Sequence, residues 1–159
     1  MAIPYFCPRP VGDLRVMQSI TPVFIAGFIL AMSGAITRVW SYRALGRLFT
    51  YEVTIRPSHT LVTSGPYRFV RHPGYIGLLS HLVGVAIIGG SPTSWIASCG
   101  VMSSPAWIWV STWYILFIWS IFSVGRRGKV EDALLEKEFG DEWRRYHRSV
   151  PYMYIPGLI

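Results

Sequence analysis

Charge is what this sequence has least of. Asp, Glu, Lys and Arg make up 14% of its 159 residues, where a soluble domain carries about a quarter. From Pro73 to Gly125 there is none at all. A run that long excludes a solvated surface and, at roughly 20 residues per bilayer-spanning helix, has room for two spans and a turn. Cysteine is also scarce. Cys7 and Cys99 lie far apart, with neither a CxxC pair nor zinc spacing. The four His, at 59, 72, 81 and 147, have no metal-ligand spacing either. No metal and no structural disulfide are expected.

Hydrophobic residues make up 52% of the chain, and its net charge is +7. The positive charge is uneven. Arg38, Arg43, Arg47, Arg56, Arg68 and Arg71 crowd residues 38–72 against Glu52 alone, and a second mixed-charge block follows residue 126. Both blocks adjoin apolar runs, so anionic lipid headgroups and membrane topology explain them better than a nucleic-acid partner.

The expected fold class is an all-α integral membrane protein, with about three transmembrane helices plus a C-terminal cytosolic amphipathic helix. It forms one domain over 1–159. Residues 1–18 are an irregular lumenal N-terminus, 19–39 the first span, 40–72 a cytosolic loop, 73–89 the second span, 106–124 the third span and 126–159 a cytosolic tail. The rival for 19–39 is a cleaved signal peptide, but the apolar run is long and the basic stretch behind it favours retention with that side cytosolic. Residues 93–104 are apolar but short, suited to a re-entrant piece, an interfacial piece or a hairpin turn. In the tail, Leu135, Phe139, Trp143 and Tyr146 recur at helical spacing over Val130–Arg148. Asp141 and Arg145 are spaced to pair one turn apart. His81, inside the second span, is expected to be neutral and hydrogen-bonded to a neighbouring helix, and Glu52 to pair with a nearby Arg.

The densest segment is Ser64–Gly77. His72 precedes Pro73, which disfavours the α region for its backbone, and Pro73 suits the first position of a helix. The free N–H groups of the next turn, flanked by Arg71 and His72, form a ready anion site.

Gly65-Pro66-Tyr67-x-x-x-Arg71-His72-Pro73-x-Tyr75-x-Gly77 resembles the signature of the isoprenylcysteine carboxyl methyltransferase family. So does a second block, Arg127-x-x-x-Glu131-Asp132-x-x-Leu135-x-x-x-Phe139-Gly140-x-x-Trp143-x-x-Tyr146, followed by Val150-Pro151. Leu45-Gly46-Arg47-x-Phe49-Thr50 and Leu61-Val62-Thr63 fit as well. The family usually has Glu at Asp132, Tyr at Trp143 and often Arg at Ser149.

The resemblance implies a multi-pass enzyme of the endoplasmic reticulum membrane whose active site faces the cytosol. It implies S-adenosyl-L-methionine as cofactor, and prenylated protein C-termini or a prenylcysteine lipid as substrate, with membrane lipids around it. Tyr67, Arg71, His72, Pro73, Tyr75 and Glu131 would bind the cofactor. Arg127 and Glu131 would be catalytic, and Arg127 and Tyr146 would hold the substrate. Two alternatives stay open: a phospholipid amine N-methyltransferase, which would want a base near the transferred methyl group, and a non-catalytic truncated relative.

Overall fold

The computed structural model describes Cys7, residues 9–49 and residues 60–158. Glu52, and with it the expected Glu52–Arg pair, lies outside the described residues, as do Thr50 and Arg56. Among the described residues every regular element is helical: α1 Pro22–Leu45, α2 Pro73–Gly89, α3 Trp95–Ser98, α4 Trp107–Phe139 and α5 Asp141–Ser149, with short 3₁₀ turns between them. Thr21 starts α1 by accepting the Phe24 N–H at 3.2 Å, with Pro22 in the first turn.

Two helices, α1 and α4, are long and apolar enough to cross a bilayer; α2 is apolar but has 17 residues. On α4 the apolar side chains point outward, Trp109 being 77% exposed. Such a face suits lipid better than a protein core.

The helices differ from expectation at their ends. Helix α1 runs past residue 39 to Leu45 and so takes in the first part of the expected loop. Beyond residue 39 there is no Gly or Pro until Gly46, where φ reaches +53°. The helix of the third apolar run does not stop near residue 124 either. Helix α4 carries it on through Phe139, and the break falls at Gly140, with φ +50°. The expected Val130–Arg148 helix is therefore divided between the end of α4 and the nine-residue α5. That break also changes the ion pairing. Arg144, not Arg145, meets Asp141 at 2.8 Å, because residues three apart also share a helix face, and Arg144 reaches Glu136 at 3.6 Å.

Contacts divide the chain into two compact units: Met1–Met32 with Ser80–Trp119, and Ser33–Leu79 with Ser120–Ile159. In the first unit α1 and α2 approach backbone to backbone. A Cβ at Gly84 would lie 2.5 Å from Ala31 N and from Gly27 O. Small residues at that crossing are what allows it, as at helix crossings in lipid generally. His81 Nδ1 lies 3.1 Å from the Ala31 carbonyl. The carbonyl has no hydrogen to give, so Nδ1 donates, and the neighbouring helix accepts the ring's N–H.

The first unit also corrects the cysteine expectation. Cys7 and Cys99 are disulfide-bonded across a sequence separation of 92. Beside the bond, Arg9 N donates to Cys99 O at 3.0 Å and Val11 N to Ser98 O at 2.8 Å. Gly100 sits at φ +55° with no room for a side chain against the Arg9 carbonyl. Leu14, Met17, Ile96, Ala106 and Val110 pack on the buried Cys7, Cys99 and Val101. A tertiary contact made the pair, so no spacing rule announced it. Residues 93–104 accordingly form α3 and a 3₁₀ turn, Val101–Ser103, tied to the N-terminal segment.

In the second unit Ser41 is fully buried, Arg38 Nη1 donates to the Gly74 carbonyl at 3.3 Å, and the Arg38 guanidinium lies 4.9 Å from the centre of the Tyr42 ring. A Cβ at Gly77 would come within 2.8 Å of Gly34 O, so here too α1 and α2 meet at backbone distance.

Two outcomes follow. Gly84→Ala should destabilise the protein by about 1–3 kcal/mol, because a methyl group there forces the two backbones apart; thermal unfolding in detergent micelles measures it. Cys7→Ser should cost about 2–4 kcal/mol, and Cys99→Ser the same. The double variant should be no worse than either single one, since both remove one bond.

Candidate functional site

The second unit gathers the two sequence blocks. The loop before α2 begins with Gly65 at φ +62° and a 3₁₀ turn, Gly65–Arg68, in which Pro66 is buried. The Tyr67 carbonyl at its centre accepts the Tyr146 hydroxyl of α5 at 2.8 Å. Pro73 opens α2, and the N–H groups of Tyr75 and Ile76 turn back to the His72 carbonyl at 3.2 and 3.4 Å. The start of α2 is thus a regular first helical turn with His72 at its cap.

Arg71 and His72 face inward. The Arg71 guanidinium meets Asp132 through Nε and Nη2, each at 3.1 Å, with side chains only 6% and 11% exposed. Its Nη1 donates to the Val150 carbonyl at 3.0 Å and also to that of Pro151. The backbone repeats the tie: Arg71 N donates to Tyr152 O at 3.0 Å and His72 N to Met153 O at 2.9 Å. Residues 150–153 therefore lie along the loop as a strap. The His72 ring has Nε2 at 3.0 Å from Asp132 Oδ1 and Nδ1 at 3.7 Å from Glu131 Oε2. Its faces meet Tyr75 and Tyr154, with ring centres 5.5 and 5.9 Å away.

Glu131 and Asp132 are neighbours with different surroundings, because adjacent helical positions point about 100° apart. Asp132 is sealed against Arg71 and His72. Glu131 keeps 35% of its side chain exposed and accepts the Tyr75 hydroxyl at 2.8 Å. Arg127, one turn earlier on α4, reaches the same phenol. Below them Gly128 has no room for a side chain, since a Cβ would strike the Tyr154 hydroxyl, which donates to the Val124 carbonyl at 2.9 Å. Trp143 is buried and stacked on His147 with ring centres 4.8 Å apart; its indole N–H has no acceptor among the described residues.

The electrostatics follow from burial and pairing. Burial pushes the phenols of Tyr67 and Tyr146 well above their usual range, so both stay protonated. Burial alone would also raise the Asp132 carboxyl. The hydrogen bond and charge of His72, then those of Arg71, outweigh it and hold Asp132 below the usual carboxylate range.

Tyr67, Arg71, His72, Pro73, Tyr75, Arg127, Glu131 and Tyr146 all fall in this one unit. They do not all face the same way. Tyr75, Arg127 and Glu131 form one cluster around a partly open carboxylate. Arg71 spends its polar atoms on Asp132 and the strap, His72 holds Asp132 with Nε2 and faces Glu131 with Nδ1, and the Tyr146 hydroxyl is spent on Tyr67. Sequence reasoning passed over Asp132 and the strap. An acid directly after Glu131, opposite an Arg-His pair, was the available signal for the first. Val150-Pro151 stood at the end of the second block, but the strap acts through its carbonyls, whose role no side-chain pattern marks.

The family model described as the isoprenylcysteine carboxyl methyltransferase (ICMT) family matches residues 26–112, more than half of the chain. That range takes in the Arg71–Pro73 loop. A probable protein-S-isoprenylcysteine O-methyltransferase of Oryza sativa subsp. indica is 29% identical over 137 residues, covering 82% of this chain and 62% of that protein. The protein-S-isoprenylcysteine O-methyltransferase of Rattus norvegicus is 30% identical over 137 residues, covering 85% and 42%. Protein-S-isoprenylcysteine O-methyltransferase B of Arabidopsis thaliana is 30% identical over 127 residues, covering 79% and 55%. The chain thus spans about half the length of these curated relatives. No solved structure matches it.

The crowding at Gly128 is testable. Gly128→Ala should cost about 1–3 kcal/mol, as overpacking does, and the loss should shrink when Tyr154→Phe removes the hydroxyl that the new methyl group meets. Thermal unfolding of the two single variants and the double variant reads this coupling.

Proposed function

The chain belongs to the isoprenylcysteine carboxyl methyltransferase family, and from that premise we propose that it transfers a methyl group from S-adenosylmethionine to the C-terminal carboxylate of a prenylated cysteine. The names of its relatives favour this acceptor over a phospholipid amine. The observation that carries the reading is the meeting of two blocks more than fifty residues apart, Tyr67–Tyr75 and Arg127–Glu131, around one accessible carboxylate.

The residues fit such a cofactor. Glu131 is the exposed member of the acidic pair and accepts hydrogen bonds, which suits ribose hydroxyls or an amino group. Of the first turn of α2, Pro73 has no N–H and those of Tyr75 and Ile76 turn back to His72, which leaves Gly74 as the donor for a carboxylate there. Tyr75 and Tyr67, both near Glu131, would flank a ligand held by that carboxylate. When bound, S-adenosylmethionine would supply an electrophilic methyl group for the acceptor carboxylate.

The chain's own part is positioning. The acceptor carboxylate is ionised at neutral pH, so no residue has to remove a proton from it. Arg127 orients that carboxylate by charge, and Tyr75 holds Arg127 and Glu131 in register. Alignment of two reactants is itself a large source of rate.

In this reading α1, α2 and α4 cross the endoplasmic reticulum membrane. Residues 38–72 and the chain after 126 face the cytosol, as their Arg content supports. The Cys7–Cys99 disulfide supports a lumenal place for the N-terminal segment and the α2–α4 connection, since disulfides persist in oxidising compartments. Prenylated protein C-termini and membrane lipids are the partners.

Methyl transfer from labelled S-adenosylmethionine tests the proposal, in membranes expressing the chain with a farnesylated cysteine analogue and phosphatidylethanolamine as parallel acceptors. Base-labile label should appear on the prenylcysteine and fall on the order of 10- to 100-fold in Glu131→Ala and Arg127→Ala. Label on the phospholipid, or on neither acceptor, would overturn it.

A further inference from the structure

Arg71 and His72 lie beside Glu131 and Tyr75, yet most of their polar atoms are taken by the protein itself. The Arg71 guanidinium is shared among Asp132, Val150 and Pro151, and the His72 ring is held by Asp132 on one nitrogen and faces Glu131 with the other. Their backbone amides are taken by Tyr152 and Met153. We propose that Arg71 and His72 are positioning residues: with Asp132 they lock the strap Val150–Tyr154 to the start of α2, and the lock aims Glu131 and Tyr75 at the ligand. The ligand assignment rests on the proposed function; the lock itself does not.

The geometry explains how the aiming works. Asp132 is bound on its inner side, which fixes the rotation of α4 there. Glu131, about 100° round the helix, is thereby turned toward Tyr75, its partner at 2.8 Å. Tyr75 stands three residues after His72, on the same face, and their rings stack. The far end of the strap is pinned separately, by the Tyr154 hydroxyl on Val124 O and by Tyr154 against Gly128. A chain of buried charge-assisted bonds thus connects a loop, a helix and the C-terminal segment, while the open carboxylate stays outside it.

The test uses the full chain in detergent or lipid nanodiscs and two probes: S-adenosylhomocysteine, which carries an amino-acid carboxylate, and methylthioadenosine, which does not. If Arg71 and His72 only position, His72→Gln and Asp132→Asn should weaken both probes by a similar factor, on the order of tenfold. Asp132→Glu, which keeps the carboxylate, should recover most of the loss. In a Glu131→Gln background Asp132→Asn should add little, because it acts through Glu131; a merely structural role would give additive losses. Hydrogen exchange at residues 71–72 and 150–154 should quicken about tenfold or more in Asp132→Asn and in the milder Arg71→Lys, which serves if the first does not fold. Selective weakening of S-adenosylhomocysteine would mean direct contact with its carboxylate and overturn the proposal. So would unchanged exchange in the strap. A wild-type chain that binds neither probe would remove the proposed function, and exchange alone would then decide the lock.

Discussion

The ion pair between Arg71 and Asp132 is the interaction on which the second unit depends. It is nearly sealed from solvent, and His72 shares its acid. Breaking a buried pair by removing one partner costs about 3–5 kcal/mol, because the other charge is left without compensation. Here the pair is not isolated. Two strap carbonyls take up the rest of the guanidinium, so the C-terminal segment is held by the same group that holds α4. Charge burial is tolerable at this point because every polar atom named in it has a partner, and that requirement dictates where the strap must lie.

A second constraint is the closeness of α1 and α2. Gly27, Ala31 and Gly84 in one unit, and Gly34 and Gly77 in the other, bring two backbones to contact distance. Lipid gives apolar side chains no reason to leave it, so helices in a bilayer associate through close packing and polar contacts. The His81 bond to the Ala31 carbonyl supplies one such contact, and the disulfide adds a covalent one where the N-terminal segment meets the α2–α4 connection. Together these hold a small chain whose outward surface is largely apolar.

Much of the site was legible in the sequence because its parts are chemically distinctive. His-Pro at a helix start, and acids one turn after an Arg, have few other uses, and the two blocks do meet in one unit. What each of these side chains touches was not legible. Arg71, His72 and Tyr146 carry the same functional groups whether they hold a ligand or hold the protein. Their partners in the structure, Asp132, the strap carbonyls and Tyr67, are contacts that no local pattern announces. The disulfide was missed for a related reason, since a separation of 92 residues leaves no local pattern to read.

The sequence by itself determined the all-helical character, the apolar helices and the family. These follow from hydropathy, helix-start chemistry and motif spacing, which act over a few turns of chain. The tertiary structure decided where α1 and α4 end, that Cys7 meets Cys99, and that Asp132 rather than Glu131 takes the buried Arg71 guanidinium. Each of those outcomes depends on the desolvation of groups brought together from distant positions. Free energy of that kind exists only once the chain has packed.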